Sequence, residues 1–178
     1  MTDPFVYHPY YCEENIWHLC HHPKVETIAT SVIYISNAAG RCPFWCQKIS
    51  PDPMSPVVWD YHVILLGHDK TGLIWDLDST LRTPTKALHY FEKTWPAPHR
   101  YPTSIEPKFR LIPVERYKAH FTSDRTHMVN TNGTYVAPPP PWPLIGTPDS
   151  EDSLEKLTDM EDESIGTIVT LSHIKDVI

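Results

Sequence analysis

The sequence lacks any apolar run long enough to cross a bilayer. Its longest aliphatic stretch, Val63 to Leu66, falls far short of the roughly 20 residues that a spanning helix needs. Residues 1 to 15 also lack the basic patch and apolar segment of a secretory leader, so a soluble cytoplasmic protein, with the nucleus also open to it, is expected, and no membrane partner. A Lys/Arg block is missing as well. With 15 basic against 22 acidic residues the formal charge is −7, and nothing here would track a phosphate backbone, so no nucleic acid partner is expected. Cysteine is scarce: Cys12, Cys20, Cys42 and Cys46 are the whole supply, and in a reducing compartment they are expected as thiols. Cys42 and Cys46 are separated by three residues, not by the two or four of a zinc knuckle. Adding Cys20, His21 and His22 builds a metal site only on paper, and no metal is expected. Asn132-Gly133-Thr134 matches a glycosylation acceptor but reads here as a turn.

What the chain does contain is organised around Val57 to Asp78, V-V-W-D-Y-H-V-I-L-L-G-H-D-K-T-G-L-I-W-D-L-D. Two runs of β-branched and aromatic residues flank a short polar segment with two glycines, the pattern of a hairpin. Alternation puts Asp60, His62 and Ile64 on one face. A turn centred on Asp69 pairs Leu66 with Gly72, Ile64 with Ile74, and His62 with Asp76. An imidazole then lies opposite a carboxylate that can fix its tautomer. One reading makes Asp76 simply the group that satisfies a buried ring. The other makes the pair half of a nucleophilic triad, which requires a nucleophile elsewhere.

A candidate nucleophile lies in Y-Y-C-E-E-N-I-W-H-L-C-H-H-P, where Pro23 ends a helix. Cys12, Ile16, Leu19 and Cys20 recur at helical spacing, so Cys12 points inward from the first turn. Unsatisfied N–H groups and the positive end of the dipole favour thiolate there, while the charges of Glu13 and Glu14 oppose it. Alone, Cys12 is also compatible with a small buried hydrophobe.

Elsewhere the pattern gives strands within 26–36 and over 42–49, a helix over 87–95 inside a long loop (81–107), a strand over 109–114 and a helix over 116–121. Ser123 to Met128 is a loop with Ser123 or Asp124 as cap or turn residue, and it is a candidate to line a cleft. Pro138 to Pro143 is an extended strap, or alternatively bait for a WW or SH3 module. The acidic stretch 149–163 carries Leu154, Leu157 and Met160 at helical spacing. A strand over 165–171 follows, with Ser172 capping a last short helix.

Taken together, Y-C-E-E-N-I-W, W-D-Y-H-V, W-D-L-D, S-D-R-T-H-M, P-P-P-P-W-P and the tail I-G-T-I-V-T-L-S resemble the signature segments of the protein N-terminal glutamine amidohydrolases, in order along nearly the whole chain. The resemblance implies an α+β fold, an antiparallel sheet flanked by helices as in papain-like and transglutaminase-like cysteine hydrolases, in one domain over residues 1–178. It implies Cys12 as nucleophile, His62 as general base and acid, Asp76 as orienting carboxylate and Asp78 as support. The implied substrates are proteins or peptides with a free N-terminal Gln. The implied place is the N-degron route, in which the product glutamate is arginylated. Residues 82 to 108 depart from the family pattern. A monomer without metal or organic cofactor is expected. Recognition of an α-ammonium calls for carboxylates near the cleft, and Glu13, Asp60 and Asp124 are the candidates. The Cys12 N–H is the first expected oxyanion donor, and Tyr7, His8, Tyr10 or Tyr11 the second. The rival readings are a cysteine protease or transglutaminase, and a non-catalytic module working through its prolines.

Overall fold

The structure, a computed structural model, describes residues 5–96, 101–146 and 150–178. Strands form where β-branched and aromatic residues cluster: β1 (Ala29–Ser36), β2 (Cys42–Phe44), β3 (Val57–Trp59), β4 (Tyr61–His68), β5 (Gly72–Trp75), β6 (Thr85–Lys86), β7 (Lys108–Pro113) and β8 (Thr167–Thr170). Six of them make one antiparallel sheet in the order β6-β5-β4-β1-β7-β8, and β2 pairs with β3 apart from it.

Both faces of this sheet are covered, and the period of two sorts each central strand between them. Val32, Tyr34, Val63 and Leu65 pack under α1 (Cys12–Cys20), α3 (Val114–His120) and α4 (Leu154–Thr158), through Ile16, Leu19, Tyr117 and Leu157. Ile33, Ile35, Ile64, Leu66 and Ile74 face the other way, onto Ala87, Tyr90 and Phe91 of α2 (Ala87–Thr94). Each fully buried Ile, Leu or Val contributes roughly 1.5–3 kcal/mol of transfer free energy. The expected α+β class, an antiparallel sheet flanked by helices, is the observed one.

The organising stretch differs from expectation in two ways. Val57–Trp59 does not continue into β4, because Asp60 sits in an exposed bend and β3 turns away to pair with β2; Asp60 therefore does not share a strand face with His62 and Ile64. The hairpin is centred on Lys70 rather than Asp69, pairing Leu66 with Ile74, Gly67 with Leu73 and His68 with Gly72. The reason lies in the glycines, which read as turn residues but stand inside strands. A side chain at Gly67 would meet the Ile28 carbonyl oxygen at 2.6 Å and the Trp75 ring at 2.9 Å. Gly67 is required by that close approach, and the loop shrinks to Asp69, Lys70 and Thr71.

Other boundaries shift. The strand expected over 42–49 stops at Phe44, and Cys46 adopts φ 59°. The acidic stretch is helical only over Leu154–Thr158. Beyond it the backbone wraps the fully buried Arg110, which donates to the carbonyls of Leu157, Asp159, Asp162 and Ile165. Ser172 caps no helix; its hydroxyl lies against Thr170 and His173, before a 3-10 turn at Ile174–Asp176. Residues 97–100 of the expected loop and Asp149 of the acidic stretch lie outside the described residues.

Candidate active site

Pairing between β4 and β5 begins only at Leu65 and Trp75, so the start of β4 lacks a ladder partner on that side. Helix α1 packs against β4. At its first turn the half-buried Cys12 Sγ lies 3.5 Å from Glu13 Oε2, and the Val63 N–H, one residue after His62, is among the groups that favour its thiolate. Cys12 and His62 line the same cavity of about 850 Å³.

His62 is fixed from several sides. Nε2 lies 2.9 Å from Asp76 Oδ1, the Trp59 ring stacks on it at 6.0 Å, and Phe44 meets it edge-on at 5.2 Å. The separate β2–β3 pair thus serves as a clamp on the imidazole. In the observed register His62 and Asp76 are diagonal rather than directly opposed, still on one face and within reach. Asp76 also accepts from the Asp78 N–H at 2.9 Å, Gln47 Nε2 at 3.1 Å and the Tyr90 hydroxyl at 2.8 Å. Burial pushes the Asp76 carboxyl up, but His62, Tyr90 and the Asp78 N–H outweigh it and hold it below the usual carboxylate range. Burial pushes His62 down, and Asp76 more than offsets this, leaving the imidazole above its ordinary value.

The thiol behaves otherwise than its helix position suggests. Burial first, then the charges of Glu13 and Asp78, push Cys12 well above an ordinary thiol, against the pull of the Val63 N–H. The Cys12 N–H opens the helix without a hydrogen bond among the described residues and stays available as an oxyanion donor. Three of the four candidate second donors are engaged elsewhere: Tyr7 with Asp78, His8 with the Pro138 carbonyl and Tyr11 with the Ala137 carbonyl. Tyr10, at φ 69°, lines the cavity.

Ligand atoms of His62, Asp76 and Asp78 lie within 4.8 Å of one another, the one such group of three among the described residues. With both oxygens of Asp76 engaged, this group is accounted for as a hydrogen-bond network. Cys20, His21, His22, Cys42 and Cys46 are not gathered into any comparable group.

Glu13, Asp60 and Asp124 all line the cavity. Asp60 and Asp124 are exposed and serve local turns, Asp60 accepting from the Tyr61 N–H and Asp124 from Thr126. Glu13 is buried, as is Glu14, although both read as acidic residues of a first helical turn. Glu14 accepts a bidentate pair from Arg125 at 2.8 Å and bonds from Ser123 and Trp142. Arg125 also donates to the carbonyls of Pro140 and Trp142, so the proline run is a strap held against α1. Gln47, Tyr90 and Trp59 were not singled out as functional by their residue types. W-D-Y-H-V contained Trp59, but nothing local in the sequence marked Gln47 or Tyr90.

A thiol at a helix start and an imidazole anchored by a carboxylate, sharing one cleft, are the equipment of thiol-dependent acyl-transfer enzymes. Sequence comparison narrows this class. The profile described as N-terminal glutamine amidase matches residues 7–178, and the chain belongs to that family. Relatives named protein N-terminal glutamine amidohydrolase include one from Homo sapiens, 37% identical over 178 residues, covering 96% of this chain and 86% of the relative. One from Danio rerio is 37% identical (94% and 86% covered), and one from Caenorhabditis elegans is 40% identical (80% and 78% covered).

Proposed function

We propose that this chain is a monomeric, single-domain amidohydrolase that converts the N-terminal glutamine of proteins or peptides to glutamate and releases ammonia. The observation that carries the mechanism is the cleft itself, which Cys12 lines together with an imidazole whose Nε2 is bound to Asp76. An ionised Asp76 can only accept, so the ring proton resides on Nε2 and Nδ1 is the base.

In the first half-reaction His62 takes the Cys12 proton as sulfur bonds to the side-chain amide carbon. The developing oxyanion meets the Cys12 N–H. Collapse breaks the carbon–nitrogen bond, and the His62 proton leaves with the nitrogen as ammonia. In the second half-reaction His62 takes a proton from water as its oxygen adds to the thioester. The carbon–sulfur bond breaks and the proton returns to sulfur, leaving a glutamate side chain. No step calls for a metal or organic cofactor. By family resemblance, the product's new acidic N-terminus feeds arginylation in the N-degron route.

The test is ammonia release from peptides beginning with Gln, with Asn and with N-acetyl-Gln, by wild type and Cys12→Ala. Release only from the free Gln peptide, and only with the thiol present, is expected. Backbone cleavage, amine incorporation or undiminished activity of Cys12→Ala would overturn the proposal.

A further inference from the structure

Glu13 has a role that the two half-reactions leave unused. Its side chain is only 1% exposed in the cleft wall; Oε2 accepts from the Tyr61 hydroxyl at 3.1 Å and lies 3.5 Å from Cys12 Sγ. Oε1 has no hydrogen-bond partner among the described residues, and the nearest cationic candidate, His127 Nε2 on the facing loop, stands 3.5 Å away. A buried carboxylate oxygen left unbonded is costly, and this one also opposes formation of the nucleophile beside it. A purely structural glutamate would be saturated, as the adjacent Glu14 is by Arg125, Ser123 and Trp142.

We propose that Glu13 is the subsite for the substrate's α-ammonium, and that the bound ammonium neutralises this carboxylate and thereby switches on Cys12. The inference rests on the amidohydrolase reading and explains how one residue can both select a free terminus and time the chemistry. Asp60 and Asp124, occupied in exposed turns, are left out of the subsite. The geometry is compatible with glutamine: four bonds, about 5 Å when extended, join its α-nitrogen to its amide carbon. That span lets the ammonium reach the carboxylate while the amide carbon stands about 3–3.5 Å from sulfur. The other titratable groups facing Cys12 are His62 and Tyr61 on β4, Tyr34 on β1, Asp78 after β5 and Tyr7 ahead of α1. Of these acidic groups Asp78 accepts from the Tyr7 hydroxyl, and Glu13 is the one with a buried oxygen that no hydrogen bond satisfies among the described residues.

The experiment compares a Gln-initiated peptide with its desamino analogue, in which the first residue is 4-carbamoylbutanoyl, for wild type, Glu13→Gln, Glu13→Asp and Tyr61→Phe. In Glu13→Gln the ratio of kcat/KM for the free amine to that for the desamino peptide should fall about ten- to hundredfold, the worth of one charge-assisted hydrogen bond, with kcat on the free amine falling too. Glu13→Asp should restore part of the ratio, and Tyr61→Phe, which loosens Oε2 without removing charge, should lower it severalfold. Alkylation of Cys12 by iodoacetamide, followed on its own peptide by mass, should reach its midpoint at lower pH in Glu13→Gln than in wild type. An unchanged ratio in either Glu13→Gln or Tyr61→Phe, or an unmoved alkylation profile, overturns the proposal. Ammonia release by the wild type, and its loss in Cys12→Ala, test the amidohydrolase reading separately.

Discussion

Asp76 receives hydrogen bonds from His62, the Asp78 backbone, Gln47 and Tyr90, which leaves its oxygens no freedom to rotate away from the imidazole. A carboxylate so held acts as an orienting charge rather than as an acid. Asp76→Asn preserves shape but can present an N–H to Nε2 and favour the wrong tautomer, so kcat should fall by about three to four orders of magnitude, read as ammonia release. Its pH dependence carries a sign. In the proposed reaction His62 serves as a base only when unprotonated, and its pKa is raised above 6.5 because Asp76 outweighs the opposing effect of burial. The acid limb of kcat/KM should therefore lie above pH 6.5 in the wild type and move to lower pH in Asp76→Asn.

Among the elements, the β4–β5 hairpin does most to build the site, because β4 carries His62, β5 leads into Asp76, and their register sets the distance between the two. Gly67 protects that register. A methyl group there would press on the Ile28 carbonyl and the Trp75 ring, neither of which is a flexible chain end. Gly67→Ala should cost about 1–3 kcal/mol, the usual range for overpacking, measured by urea unfolding. Since Trp75 precedes Asp76, kcat should drop with stability in this variant, whereas a change at exposed Lys70 should leave both intact.

For the whole molecule, a long-range polar connection runs between Glu14 on α1, Arg125 in the cleft loop and the strap at Pro140 and Trp142. Burial pushes Glu14 up, but Arg125, Ser123 and Trp142 prevail and hold its carboxyl below the ordinary glutamate value of 4.5. A depressed native pKa contributes stability that is complete above the unfolded value and drains as pH falls through the native one. Urea midpoints should accordingly be flat near neutrality and decline below about pH 4.5. Glu14→Gln should flatten part of that acid decline and lower stability at pH 7 by about 3–5 kcal/mol, the usual cost of breaking a buried pair. The same measurement at pH 7 and pH 4 separates the two effects. No helix among the described residues is long and apolar enough to cross a membrane.

By itself the sequence determined the two-faced sheet, because period-two alternation in β1 and β4 is a local property of the chain, and it determined the α1 face that carries Cys12. It also marked Cys12 and His62 as candidates, since a polar ring within an apolar strand and a cysteine at a helix start are visible without coordinates, and it reached Asp76 through a cross-strand pairing that the structure shifts by two residues. Register was decided only by tertiary structure, because the glycines that resembled turn residues answer to the distant Ile28 backbone and the Trp75 ring. The partners Gln47 and Tyr90, the clamp of Phe44 and Trp59, and the opposite fates of Glu13 and Glu14 were likewise decided in three dimensions. Adjacent glutamates are equivalent in sequence. Which of them is saturated by an arginine more than a hundred residues away, and which faces a cleft with an oxygen to spare, depends on contacts that no local pattern encodes.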